Sequence, residues 1–215
     1  MTLSTQLQNY QTQFKTKTPE TIQTVMSQAT ENLANSGIVN RALKDGDRIP
    51  WFQLPDATGQ NFDLQTALSQ GAVVLSFYRG GWCPYCNLEL KALQQKLPEI
   101  EANGASLIAI SPETPDNSLS TSEKNQLKFT VLSDVGNKIA RQFGLVFQLP
   151  REIRPIYLQF GIDVAAHNGD DLFELPVPAT YVVAPSGLIV YAFADADYTK
   201  RAEPSDVVAA LKQIS

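Results

Sequence analysis

The chain has 215 residues, 43% of them hydrophobic and 18% charged. That composition excludes a disordered tail and supports a buried core, in one domain with an extension or in two small ones. A net charge of −5 argues against non-specific binding to nucleic acid or an anionic membrane surface, which needs a basic patch. No run approaches the roughly 18 apolar residues of a membrane span. The segment Met1-Thr2-Leu3-Ser4-Thr5-Gln6 has no basic or apolar leader character, so a cytoplasmic location is expected. Two cysteines in a chain of 215 residues do not make a disulfide-stapled secreted fold.

Residues 1–44 read as a helical extension. Leu3, Leu7, Tyr10 and Phe14 recur at helical spacing. Thr18-Pro19-Glu20 reads as an N-cap, a proline at the first helical position and an acidic first turn. Ile22, Val25, Met26, Ala29 and Leu33 then make a second stripe that stops at Gly37. Such a helical hairpin either packs on the main domain or offers a surface for a homodimer or another partner.

From Asp45 the pattern changes. Phe52-Gln53-Leu54 and Asn61-Phe62-Asp63 flank the turn formers Asp56, Thr58 and Gly59, which predicts a small hairpin. Leu64 to Gln70 makes one or two helical turns. Ala72 to Tyr78 is the near-continuous apolar run of a central buried strand. Leu88, Leu90, Leu93, Leu97 and Ile100 continue at helical spacing to Gly104. A second buried strand over 106–111, a helix around 117–126, a short strand over 129–132 and a short helix ending near Gly144 follow. Residues 145–176 carry three prolines and no clear period; their length and apolar content suggest a cover, over 148–176, above the site described next. Tyr181 to Ala184, the turn Pro185-Ser186-Gly187 and Leu188 to Tyr191 predict strand, tight turn and strand. Glu203-Pro204-Ser205 opens a last helix. The plan is α/β, three layers around a mixed central sheet, with a domain over 45–215.

The strongest signal is Phe77-Tyr78-Arg79-Gly80-Gly81-Trp82-Cys83-Pro84-Tyr85-Cys86. It joins a buried strand to a helix, and a Cys-x-x-Cys there reads as a dithiol redox site. With Cys83 as N-cap, Pro84 takes the first helical position, where its missing N–H costs nothing. Cys86 then lies one turn on, within disulfide reach. The free N–H groups and the positive helix end favour a thiolate, and a lowered pKa makes the better nucleophile near neutral pH. Trp82 and Tyr85 shield the sulfurs. A zinc site would need ligands beyond the single histidine, His167, so no metal is expected. A cluster shared across a dimer and inert buried cysteines are further readings. His167 itself reads as a surface-loop residue.

These residues carry a resemblance. Asp45-Gly46-Asp47-Arg48-Ile49-Pro50-Trp51-Phe52-Gln53-Leu54-Pro55-Asp56, the strand ending in Phe77-Tyr78, and Ala179-Thr180-Tyr181-Val182-Val183 with Pro185-Ser186-Gly187 look like a peroxiredoxin domain. The chain resembles the peroxiredoxin-like branch of the alkyl hydroperoxide reductase and thiol-specific antioxidant superfamily over about residues 45–215, which implies a thioredoxin fold. Laid on the family's Pro-x-x-x-Thr-x-x-Cys loop, Cys86 takes the peroxide-attacking position. Glu89 stands where the family often has an acid. Arg79 replaces the proline and Cys83 the threonine. Pro178 stands at or next to the place of the family's later-strand arginine, and resembles the cis-proline of thioredoxins, which receives a substrate chain.

The resemblance implies a thiol peroxidase with no bound cofactor. Cys86 attacks hydroperoxide, Cys83 resolves the sulfenic acid, and a thioredoxin- or glutathione-type donor reduces the disulfide. Two alternatives stay open: a protein dithiol–disulfide oxidoreductase with Cys83 as nucleophile, and a redox-sensing interaction protein.

Overall fold

The computed structural model describes residues 1–214. It begins with α1 (Leu3–Lys17), α2 (Glu20–Asn35) and the short α3 (Ile38–Arg41). Leu3 and Leu7 bury the inner face of α1, as the spacing predicts. The carboxylate of Glu203 accepts the Leu3 N–H at 3.2 Å and the Ser4 N–H at 2.6 Å, tying the start of α1 to the far end of the chain. Thr18 is not the N-cap of α2. It closes α1, its N–H donating to the Phe14 carbonyl, and Pro19 precedes α2 with no side-chain cap. None of the α2 residues is buried; its apolar stripe borders open cavities instead.

The hairpin is β1 (Gln53–Pro55) with β2 (Asn61–Asp63). Asp63 caps α4 (Leu64–Gln70) by accepting the Thr66 N–H at 2.6 Å. Then come β3 (Ala72–Phe77), α5 (Pro84–Ala102), β4 (Ala105–Ser111), α6 (Pro115–Asn125), β5 (Thr130–Ser133) and α7 (Lys138–Gln142). The segment without a clear period resolves into β6 (Val146–Gln148), α8 (Arg154–Gln159), α9 (Val164–Asn168) and β7 (Glu174–Pro176). The chain ends through β8 (Ala179–Val183), β9 (Ile189–Ala194) and α10 (Pro204–Leu211).

The central sheet has the order β5-β4-β3-β8-β9. β3, β4 and β5 run parallel, while β8 and β9 are antiparallel to their neighbours. This is the mixed sheet of a thioredoxin-like fold. β3 is buried along its whole length, which is why its sequence is continuously apolar rather than alternating. On one face Val74, Leu107 and Val182 pack against Leu7, Leu90, Leu93 and Val207 of α1, α5 and α10. On the other, Leu75, Ile108 and Tyr181 pack against Ile38, Leu64 and Phe143. A third, small cluster around Leu149, Ile153, Tyr157 and Leu175 takes in Val25 and Met26 of α2 and touches Trp82. The β3–α5 junction sits where these three clusters meet.

Candidate active site

Cys83 is the N-cap of α5 and Pro84 its first residue. The Cys83 N–H donates to the Gly80 carbonyl at 3.1 Å, closing a tight turn. Gly80 has φ 149° and lies under the Trp82 indole, so a side chain there would meet both strain and the ring. Both cysteines are free thiols, Cys83 1% and Cys86 0% exposed. They are not equivalent. Cys83 lines a cavity of about 410 Å³ and Cys86 does not. Aromatic residues make up half of that cavity's lining, Tyr10, Phe14, Tyr85 and Tyr157 among them.

Two buried arginines flank the dithiol. Arg201 donates from Nη2 to the Cys86 sulfur at 3.2 Å and from Nε to Glu89 at 2.5 Å. It also holds the carbonyls of Tyr198 and Lys200 at 2.5 and 2.7 Å. Glu89 accepts in addition from the Thr180 hydroxyl at 3.2 Å. Arg79 is different. Its guanidinium lies 5.0, 5.5 and 4.6 Å from the ring centres of Trp82, Tyr157 and Tyr198, and it donates to the Tyr157 hydroxyl.

The electrostatics follow. Burial opposes ionisation of Cys83, but the hydrogen bond from Cys86 and the charges of Arg79 and Arg201 outweigh it and pull its pKa down to about 6. Cys86 moves up, through burial and through donating its proton to Cys83. The pair thus gives up one proton readily and holds the second. Burial pushes Glu89 up to about 7 against the pull of Arg201, while Arg201 is held more firmly charged by Glu89. The 2.5 Å contact is that of an ionised carboxylate. Burial is the larger cause favouring a proton on Glu89, and negative charge on Cys86 adds to it.

Glu113, fully buried, braces the loop from behind. It accepts the Gly81 N–H at 2.8 Å, and His167 Nδ1 lies 3.0 Å from its other oxygen. His167 is therefore not a free surface-loop residue. It sits on α9, packed 6.5 Å from the Trp82 ring. Asn87 and Asn125 continue the network, Asn87 donating to the Gly81 carbonyl at 2.8 Å.

The chain belongs to the AhpC/TSA family. The family model matches residues 46–192. Peroxiredoxin Bcp of Escherichia coli (strain K12) is 33% identical over 103 residues, 48% of this chain and 65% of that protein; the match thus spans less than two-thirds of the relative. A chloroplastic Peroxiredoxin Q of Triticum aestivum is 28% identical over 160 residues, 74% of this chain and 63% of that protein. Among solved structures, Peroxidoxin BcpB from Mycobacterium tuberculosis superposes with a TM-score of 0.64 at 24% identity, covering 80% of this chain and 99% of that one. Xanthomonas campestris Peroxiredoxin Q gives 0.58 at 19% identity, covering 80% and 98%. These likenesses are of fold.

Within this AhpC/TSA chain the fold brings Arg79, Trp82, Cys83, Pro84, Tyr85, Cys86 and Glu89 into one site. Pro178 lies apart. It lines a second cavity with Arg79 but not the cavity of Cys83, and none of the described residues has a cis peptide bond, so the likeness to the thioredoxin proline does not reach its backbone. Cover residues Tyr157, Phe160 and Ile162 do line the Cys83 cavity, and α1 and α2 close it from the other side with Tyr10, Phe14 and Met26. Arg201, Glu113, Tyr157 and Tyr198 carry no motif. The arginine, in the polar run before α10, meets Cys86 across 115 positions.

Proposed function

We propose that this chain is a thiol-dependent peroxidase. It reduces hydroperoxides through the Cys83–Cys86 dithiol and is recycled by an external thiol. The observation that carries this is the pair itself: two thiols at one helix N-terminus, between two buried guanidinium groups, with one sulfur on a cavity. That sulfur, Cys83, has the lowered pKa, which supports Cys83 as the attacking thiolate. It takes the terminal OH of the hydroperoxide as the O–O bond breaks, leaving a sulfenic acid on Cys83, and the departing alkoxide takes a proton from solvent to become the alcohol. Arg79 and Arg201 stabilise the negative charge throughout. Cys86 then attacks the sulfenic sulfur, expels water, and closes the disulfide. Glu89, near 7, is suited to take up the Cys86 proton.

The family register supports a second assignment, attack by Cys86 with resolution by Cys83; the Arg201 contact at 3.2 Å favours it. Trapping the sulfenic acid with dimedone decides. With Cys83 as attacker, Cys86→Ser labels and Cys83→Ser does not; the reverse pattern transfers attack to Cys86. If wild type consumes no hydroperoxide with any thiol donor, the peroxidase reading fails and dithiol–disulfide exchange takes its place. The reductant is a glutathione-type small thiol in this proposal, because Cys83 is reached through a cavity rather than from a flat surface. Residues 1–44 are proposed as an added segment that completes that cavity, and 45–215 as the catalytic domain.

A further inference from the structure

Two cavities meet at Arg79. One holds Cys83. The other, of about 250 Å³, lies between α2, the segment 147–153 and the residues leading into β8. Ala29, Leu33, Phe147, Ile153 and Val177 give it an apolar wall, and Met26, Tyr157 and Tyr198 separate it from the first. Arg79 faces both.

The two buried arginines differ in one respect. Arg201 has the carboxylate of Glu89. Arg79, 2% exposed, is paired with no carboxylate among the described residues, and its Nε has no hydrogen-bond partner. A buried charge without a fixed counter-ion is unfavourable. The Cys83 thiolate supplies an anion only from the first cavity. Arg79 also lines the second, at the end of an apolar chamber, and a cavity of roughly 150 Å³ already holds benzene.

We propose that the second cavity binds a small organic carboxylate, with its carboxylate on Arg79 and its apolar body between α2 and the segment 147–153. Such a ligand acts on the dithiol. The carboxylate and the Cys83 thiolate share one guanidinium, so binding weakens the thiolate and slows its chemistry. By linkage, ionising Cys83 loosens the ligand to the same degree. The site requires only the thiol pair and its arginine, and does not depend on hydroperoxide being the substrate.

The test is calorimetry on the reduced full chain with sodium octanoate, hexanoate, acetate and 1-octanol. Octanoate is expected to bind saturably, with about fourfold gained per methylene from hexanoate upward. Octanol is expected at least about tenfold weaker, and acetate not to bind detectably. Octanoate is also expected to raise the thiolate midpoint of Cys83, read by absorbance at 240 nm, by about one unit, as loss of an adjacent opposite charge does. Ala29→Phe and Leu33→Phe fill the chamber from successive turns of α2, and each is expected to weaken octanoate at least about tenfold. Circular dichroism checks that they fold, and if neither does, the wild-type comparisons decide. No saturable octanoate binding, octanol equal to octanoate, an unmoved thiolate midpoint, or folded fillers that bind octanoate as wild type would each overturn the proposal. Peroxide consumption measured without carboxylate separates failure here from failure of the peroxidase reading.

Discussion

Replacing Arg201 by methionine tests the electrostatic frame of the site. The side chains of Arg201 and Glu89 are each 1% exposed, so solvent screening barely discounts their interaction. The substitution removes the 2.5 Å pair and leaves Glu89 with only the Thr180 hydroxyl at 3.2 Å. It also frees the carbonyls of Tyr198 and Lys200. Breaking a buried ion pair from one side costs about 3 to 5 kcal/mol, because the remaining charge is left without compensation. At a urea m-value of about 3 kcal/mol/M, the midpoint falls by roughly 1 to 2 M. Most of that cost belongs to the stranded carboxylate. Arg201→Met with Glu89→Gln is therefore expected to recover more than half of it. The cationic neighbour of Cys86 is lost in both variants, so dithiol reactivity falls in both and does not recover. Equilibrium urea unfolding and stopped-flow thiol alkylation read the two effects separately. A loss below about 1 kcal/mol for the single variant, or no recovery in the double, would refute the claim that this is a tightly desolvated pair.

Alkylation of Cys83 by iodoacetamide is expected to follow a midpoint near pH 6, slow below it where the thiol is protonated and fast above it. Cys86→Ala removes the hydrogen bond to the thiolate, so the midpoint moves up; a downward shift on mass-resolved alkylation would contradict the assigned proton. Glu113→Gln weakens a charge-assisted bond to the Gly81 N–H, worth about 1.5 to 3 kcal/mol. Hydrogen exchange at Gly81 is expected to speed up, and unchanged protection would remove Glu113 as the brace of the loop. Gly144 has φ 73°, and a Cβ there would run into the Arg41 carbonyl. Gly144→Ala is expected to cost about 1 to 3 kcal/mol in thermal or urea unfolding; a neutral result would mean that the α3 segment yields easily.

The sequence was informative where structure is local. The apolar run of β3, the Leu90–Leu93–Leu97 stripe of α5 and the Pro-Ser-Gly turn before β9 each follow from period and turn chemistry within a few residues. The order Cys83, Pro84 and Cys86 at a helix start is of the same kind, and it alone places both sulfurs within one turn. Thr18 can by type serve either neighbouring helix, and its backbone bond to Phe14 decides for α1. Residues 145–176 were not legible because their elements are three to six residues long and gain order only from the cluster around Tyr157 and Leu175.

The two cysteines show where the division lies. Their spacing on one helix turn places the whole thiol content of this chain at one helix start. Which sulfur meets the cavity, which cation lies beside each, and which carboxylate pairs with Arg201 were decided by contacts spanning 78 positions from Arg79 to Tyr157, 112 from Arg201 to Glu89 and 115 from Arg201 to Cys86. Periodicity records which face of an element is apolar. It does not record which buried charge another element delivers, because burial and opposite charge act through space and not along the chain.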